Sequence, residues 1–140
     1  MRTFSLLLLM MVVVAVTGCN PKGVNPVRGK ISFAGGQRPA AEIAVIRFEP
    51  VHDPNAAEGT FKAASGDIQP DGTYRLTTFD PNDGALAGEY KVVFTVLKTY
   101  MGRESLVDKK FTTAATTPFT ASVKSGSNSF DFDLAAPPSN

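Results

Sequence analysis

The residue types that most often carry catalysis are scarce in this chain. It contains one histidine, His52, and one cysteine, Cys19. Nucleophilic catalysis needs a base beside a serine or cysteine, and a zinc site normally takes several histidine or cysteine ligands. His52 lies in the polar segment Val51–Glu58, where a solvated loop histidine is the favoured interpretation. The sequence therefore predicts a protein that is not an enzyme and that holds no zinc.

Calcium is the metal for which the sequence does offer ligands. Asp80, Asn82 and Asp83 cluster in one turn-rich segment, and Asp67 and Asp71 flank another turn. Calcium takes about six to eight oxygen ligands, some of which such loops supply. Aspartate and asparagine are also common in turns because their side chains bond to the local backbone. Asp80, Asn82 and Asp83 are therefore calcium candidates, with turn formation as the favoured interpretation and no cofactor expected.

The N-terminal segment indicates where such a protein would be located. Arg2 precedes an apolar run that extends from Phe4 to Val16, which is the arrangement of a signal peptide. A membrane-spanning helix needs about 20 apolar residues, and this run is shorter. We therefore predict a signal peptide at residues 1–18, with a retained single-pass anchor as the alternative.

Cys19 ends this region in the segment Val16-Thr17-Gly18-Cys19, which resembles the bacterial lipobox. The resemblance implies that Cys19 receives a diacylglyceryl group and becomes the N-terminus of the mature chain. An unpaired exposed thiol would otherwise be prone to oxidation in an exported protein, whereas two or more acyl chains attach a protein stably to a membrane. Asn20, in place of an aspartate, resembles the outer-membrane sorting pattern. The expected location is therefore the cell envelope, at the outer membrane.

Composition and charge describe one neutral domain. The chain has 14 basic and 13 acidic residues. Removal of the signal peptide takes away Arg2, which leaves equal numbers of basic and acidic residues. No basic surface is implied, so nucleic acid is not an expected partner. A single cysteine excludes an internal disulfide, and about 120 residues suit one domain. Prolines, asparagines and a glycine predict a tether at residues 19–26, followed by a domain at 27–134 and a disordered tail at 135–140.

Alternating apolar and polar residues predict β-strands throughout this domain. The predicted strands are Val27–Phe33, Ile43–Glu49, Gly59–Ser65, Thr73–Thr77, Gly88–Leu97, Phe119–Val123 and Asn128–Leu134. Turn signals recur between them and no amphipathic helix is evident. This pattern of seven or eight short strands predicts an all-β fold, a single antiparallel β-sandwich. Tyr90 lies near the start of the longest strand, where it resembles the tyrosine corner of Ig-like sandwiches, with an ordinary core tyrosine as the alternative.

Several segments resemble small bacterial lipoproteins that carry a carboxypeptidase regulatory-like, transthyretin-like domain. The resemblance covers nearly the whole mature chain and implies a seven-stranded prealbumin-like or Ig-like sandwich. It does not imply peptidase activity. The chain departs from the family at Asp108 and Phe111, and it lacks one acidic position before the turn at Asp71. The matching segments are Pro26-Val27-Arg28-Gly29-Lys30-Ile31, Arg47-Phe48-Glu49-Pro50, Asp71-Gly72-Thr73-Tyr74-Arg75-Leu76-Thr77-Thr78, Asp83-Gly84-Ala85, Gly88-Glu89-Tyr90-Lys91-Val92, Thr116-Thr117-Pro118-Phe119-Thr120 and Asn128 with Phe130-Asp131-Phe132-Asp133-Leu134.

Two functions are consistent with these sequence features. The first is a lipid-anchored, non-catalytic structural or protein-interaction module, with a partner bound through the loops Val51–Glu58 and Lys98–Pro118, because long loops often carry function. The alternative is a module that binds a small ligand or glycan, which requires a concave patch of exposed aromatic residues such as Phe79, Tyr100 and Phe111. An enzyme of the transthyretin-related kind would need a histidine cluster that one histidine cannot build.

Overall fold

The computed structural model describes residues 22–52, 55 and 61–134, and the regular structure there is almost entirely β-strand. The all-β prediction is confirmed. The signal peptide, Cys19 and the predicted tail at 135–140 lie outside the described residues. The strands of the described part are β1 Val24–Asn25, β2 Val27–Phe33, β3 Ile43–Pro50, β4 Ala64–Asp67, β5 Thr73–Arg75, β6 Ala85–Leu86, β7 Gly88–Leu97, β8 Thr120–Val123, β9 Asn128–Ser129 and β10 Phe132–Leu134.

The strands form two four-stranded sheets and one short two-stranded sheet. One large sheet has the order β4-β3-β7-β8, and the other has the order β10-β2-β5 with β9 also paired to β2. The pairing of β3 with β7 runs from Ile43 opposite Leu97 to Pro50 opposite Tyr90. An isolated bridge between Ser65 and Thr77 joins the β4 side of one sheet to the β5 side of the other. The groove described below lies at this junction.

The last predicted strand departs from the expected antiparallel arrangement. It is divided into β9 and β10, and both pair with β2 in parallel. The chain leaves β8 at Val123 and continues beside β2 in the other sheet, so no hairpin fixes its direction. Alternating side chains specify which face of a strand is buried, but they do not specify the direction of its neighbour.

The prediction of a tether that buries nothing is wrong for Val24 and Asn25. These residues form β1, pair with Leu86 and Ala85, and are buried. The Asn25 side chain explains part of this, because its Oδ1 accepts a hydrogen bond from the Gly126 amide at 3.0 Å. In a sequence, asparagine usually indicates a turn. Here the side-chain oxygen of Asn25 instead accepts a hydrogen bond from a backbone amide that is distant in the chain.

The third predicted strand is displaced along the chain. The predicted strand is Gly59–Ser65, and its first two residues lie outside the described part of the chain. Residues 61–63 are not in a strand, whereas β4 spans Ala64–Asp67 and contains Gly66. A glycine inside a strand weakens a sequence-based assignment, but it also permits close approach of another backbone. Gly66 has that role, because an added Cβ would lie 2.1 Å from the Arg75 carbonyl oxygen.

The core lies between the two large sheets and is rich in aromatic rings. Ala44, Ile46 and Phe48 of β3 point inward as predicted. The Tyr90 hydroxyl donates to the Leu86 carbonyl oxygen at 2.8 Å, the backward hydrogen bond expected of a tyrosine corner. Because burial raises the pKa of Tyr90, this hydroxyl remains a donor at neutral pH.

The long segment Lys98–Pro118 is only partly a surface loop. Val107 and Phe111 are buried in the hydrophobic core, and Thr117 is buried beside them. A single turn of 3₁₀ helix spans Lys109–Phe111. The exposed part of the segment is therefore smaller than its sequence suggests. Within the described residues, no helix is long and apolar enough to cross a membrane.

Candidate functional site

The calcium candidates mainly organise a turn. The Asp83 carboxylate accepts hydrogen bonds from the backbone amides of Thr78 at 2.7 Å, Asp80 at 2.9 Å and Phe79 at 3.0 Å. Asn82 has a positive φ of 60°, which asparagine tolerates better than most residues. The described residues contain no group of three or more histidine, cysteine, aspartate or glutamate side chains placed to hold a metal ion. This geometry supports turn formation as the role of the cluster.

The pKa of Asp83 is lowered from 3.8 even though partial burial acts in the opposite direction. The amides of Asp80, Thr78 and Phe79, together with the charge of Lys22, favour the carboxylate and outweigh desolvation. A group with a lowered pKa in the folded state stabilises the fold fully above its unfolded pKa. That contribution is lost as the pH falls through the folded pKa.

Replacement of Asp83 with alanine should lower the free energy of unfolding at neutral pH by about 1–2 kcal/mol, because three backbone donors lose their acceptor. Urea denaturation at several pH values measures this, and the deficit should shrink as the pH falls below 3.8. Asp80→Ala is the control, since it removes one exposed ion pair with Lys22, worth about 0–1 kcal/mol. Equal losses in both variants would contradict the assigned role.

The three aromatic residues proposed for a ligand patch do not come together. Phe111 is buried, whereas the exposed fractions of Phe79 and Tyr100 are 41% and 73%. Phe79 lies near Lys62, which directly precedes β4, with 4.9 Å between the Lys62 ammonium and the centre of the ring. Tyr100 lies near Glu42, which directly precedes β3, because the Tyr100 amide donates a hydrogen bond to the Glu42 carboxylate. Since β3 and β4 are antiparallel, these positions lie at opposite ends of the sheet, about 20 Å apart. The predicted aromatic patch is therefore wrong.

His52 is exposed in the structure, as the sequence predicted. Its ring lies edge-on to Phe61, with 5.6 Å between the ring centres. Val51 beside it is exposed, but residues 53, 54 and 56–60 of the predicted contact loop lie outside the described part of the chain. The described part of Val51–Glu58, residues 51, 52 and 55, is thus a surface segment with a small aromatic contact.

An open groove lies on the solvent-facing side of β2, β4 and β5. Its volume is about 1010 Å³. Each of the three strands contributes outward-facing polar side chains to its lining: Arg28, Lys30, Ser65, Asp67, Thr73 and Arg75. The sequence marks these positions as the polar faces of strands, but it does not show that they meet.

Two glycines allow the backbone to fold closely around this groove. A Cβ atom at Gly29 would lie 1.8 Å from the Phe130 carbonyl oxygen, and the corresponding distance for Gly66 and the Arg75 carbonyl oxygen is 2.1 Å. Both neighbours are backbone atoms, which cannot move aside by a side-chain rotation. The shape of the groove therefore depends on having no side chain at these two positions.

A local interruption of the β2 ladder places Asp131 at the groove. In a regular parallel ladder the Lys30 amide would donate to the Phe130 carbonyl oxygen. Here it donates to Oδ1 of Asp131 at 2.8 Å, and the Phe130 carbonyl instead accepts the Tyr74 hydroxyl at 2.7 Å. Burial, assisted by the negative charge of Asp131, raises the pKa of Tyr74, so this hydroxyl stays protonated and keeps donating.

The charged side chains of the groove are arranged unevenly. Arg28 of β2 lies directly opposite Arg75 of β5, and Lys30 lies opposite Thr73 on the same face. A second cavity of about 150 Å³ is also lined by Arg28 and Arg75. Three cations and the two carboxylates of Asp67 and Asp131 line the larger groove. Guanidinium groups hold carboxylates and phosphates with paired hydrogen bonds, so this arrangement is suited to binding oxyanions.

Comparison with known proteins provides no relative for this chain. No family model matches it, and no curated protein or solved structure does either. Its function is therefore to be inferred from the groove, the charged side chains and the N-terminal sequence.

Proposed function

We propose that this protein is a lipid-anchored, non-catalytic binding module of the cell envelope, attached through Cys19 and presenting the groove to a ligand or partner. The groove of about 1010 Å³ on β2, β4 and β5 is the observation that carries the binding role. Ligand sites are typically concave and have a small number of placed polar groups. The lipobox-like segment before Asn20 carries the anchoring role and the outer-membrane location.

The same proposal places the domain among carboxypeptidase regulatory-like, transthyretin-like domains with a seven-stranded prealbumin-like or Ig-like sandwich. Support comes from the seven described strands that have three or more residues. The segment that begins at Asp71 also forms the expected turn and strand, with Gly72 at a φ of 84° before β5. The hydrogen bond from Tyr90 to Leu86 is a further feature of such sandwiches.

Attachment through Cys19 would turn one end of the domain towards the membrane. Three chain steps separate Cys19 from Lys22, so their Cα atoms lie no more than about 11 Å apart. The Lys22 ammonium pairs with Asp80 and lies 5.7 Å from the centre of the Phe79 ring. The end that carries Phe79 is therefore the membrane-proximal end. The opposite end carries the exposed tip at Tyr100 and Met101.

Replacement of Cys19 with alanine should abolish incorporation of labelled palmitate and release the protein from the membrane fraction. The physical reason is that each buried acyl methylene contributes about 0.8 kcal/mol, and no other described feature provides comparable attachment. Fractionation of cells that express the full chain, with palmitate labelling, measures both effects.

Asn20→Asp is the matched control for this experiment, because it leaves the thiol in place and should keep palmitate incorporation. Its protein should shift from the outer to the inner membrane if Asn20 determines sorting. Palmitate that still enters Cys19→Ala would overturn the anchoring proposal.

A protein-interaction role has one specific observation in its favour. Tyr100 and Met101 at the tip of the Lys98–Pro118 segment are 73% and 96% exposed, although the segment also contributes buried residues to the core. Exposed aromatic and methionine side chains are enriched at protein interfaces. Affinity capture from envelope extract with the full protein tests this role, since a specific partner should be lost from the Met101→Ser variant.

A further inference from the structure

We propose that the groove recognises an oxyanion, either carboxylate or phosphate, carried on a hydroxyl-rich molecule, and that Arg28 and Arg75 hold it jointly. This inference rests on the proposed binding function and names the chemistry of the ligand. Lys30 supplies a third positive charge on the same face. The hydroxyls of Ser65 and Thr73, which also line the groove, provide hydrogen bonds for the rest of the ligand.

The register of β2 and β5 brings the cationic side chains together. Arg28 and Arg75 are directly opposite each other in an antiparallel pair, which brings their Cβ atoms to about 4.5–5.5 Å. Lys30 is two residues further along the same strand, so its Cβ points to the same face about 7 Å away. Three cationic side chains thus rise together from neighbouring positions of one surface.

This arrangement of three cations is unfavourable for the fold itself. Like charges directly opposite on adjacent strands destabilise a sheet. In the described part of the chain, the ion pairs join Lys22 to Asp80, Arg47 to Glu49 and Lys110 to Asp108, and none of them involves the three groove cations. An acidic residue opposite Arg28, in place of Arg75, would keep this surface equally soluble. A bound oxyanion would satisfy both guanidinium groups at once.

A ligand can reach both arginine side chains from solvent. Arg28 and Arg75 line both the groove of about 1010 Å³ and the adjoining cavity of about 150 Å³. Both side chains are exposed, so their planar groups are open to a ligand. Asp67 and Asp131 also line the groove, and they oppose an extended polyanion more than a single anionic group. This combination favours a polar ligand with a localised negative charge, such as an acidic saccharide.

The test is calorimetric titration of the full lipidated protein in neutral detergent. The probes are galacturonate, which carries a single carboxylate, for a carboxylate source and glucose 1-phosphate for a phosphate source, with maltotriose as the neutral counterpart. We expect one of the anionic probes to bind, maltotriose to bind at least tenfold more weakly, and affinity to fall with added salt. The preferred probe identifies which anion the groove selects.

The Arg75→Glu variant distinguishes a loss of binding from a loss of folded protein. It should abolish binding of the anionic probe while raising the midpoint of urea denaturation, because Arg28 then faces an opposite charge. Arg28→Gln should weaken binding at least tenfold. Arg47→Gln on β3 is the matched control, since Arg47 is exposed but does not line the groove, and it should leave affinity unchanged.

The inference would be overturned if neither anion bound at millimolar concentration, or if Arg75→Glu bound as well as the unchanged protein. Tight binding of maltotriose that is insensitive to Arg75→Glu would also overturn it, while leaving the groove as a neutral binding site. The anchoring part of the proposed function is decided separately by palmitate labelling of Cys19.

Discussion

Replacement of Gly29 with alanine should lower the free energy of unfolding by about 3 kcal/mol or more, near the upper end of the cost of overpacking. The added Cβ would lie 1.8 Å from the Phe130 carbonyl oxygen, far inside van der Waals contact. To relieve the clash, the backbone at Phe130 must move away from β2. That movement strains the hydrogen bond from Tyr74 to Phe130 and the one from Lys30 to Asp131. Urea denaturation followed by circular dichroism measures the loss.

Gly35→Ala is the matched control for this substitution. Gly35 also lies in the N-terminal half of the domain, but an added Cβ there meets no atom within 4 Å. Its free energy of unfolding should change by less than about 0.5 kcal/mol. If Gly29→Ala is too unstable to purify, its recovery from cells compared with that of Gly35→Ala still tests the prediction. Equal stability of the two variants would contradict the close approach at Phe130.

The burial pattern of the strands could be predicted because it depends on local alternation alone. Tyr90, Val92, Phe94 and Val96 of β7 are buried, as a period of two requires. The bounds of β2 and β7 also agree with the predicted strands, since both are long and clearly alternating. In short strands this signal is weaker, and β4 was misplaced where Gly66 interrupts it.

The groove could not be predicted because it depends on which strands become neighbours. The alternation around Arg28 and Arg75 assigns each to a polar face, but only the register of β2 with β5 places them opposite each other. The contact between Gly29 and Phe130 joins distant parts of the chain through a parallel pairing that no hairpin specifies. The prediction for Phe111 failed for a different reason. Its position in a long loop predicts an exposed aromatic residue, but its side chain is buried in the core.

The parallel pairing also places aromatic rings of the last strand against one side chain of the other large sheet. Phe48 is completely buried on β3. Its ring centre lies 5.9 Å from that of Phe130 and 6.2 Å from that of Phe132, so it connects one large sheet to the last strand of the other. It also lies 5.7 Å from the Tyr90 ring, beside the tyrosine corner. Phe48 is thus a main point of contact between the two layers.

Replacement of Phe48 with alanine should accordingly lower the free energy of unfolding by about 3–5 kcal/mol, through lost transfer free energy and the cavity that remains. For a domain whose total stability is about 5–15 kcal/mol, this is a large fraction. Phe79→Ala is the control, because the Phe79 side chain is 41% exposed and its loss should cost less than about 1 kcal/mol. Anion affinity per folded molecule should be unchanged in Phe48→Ala, since Phe48 does not line the groove. A loss as small as that of Phe79→Ala would show that the layers are held together elsewhere.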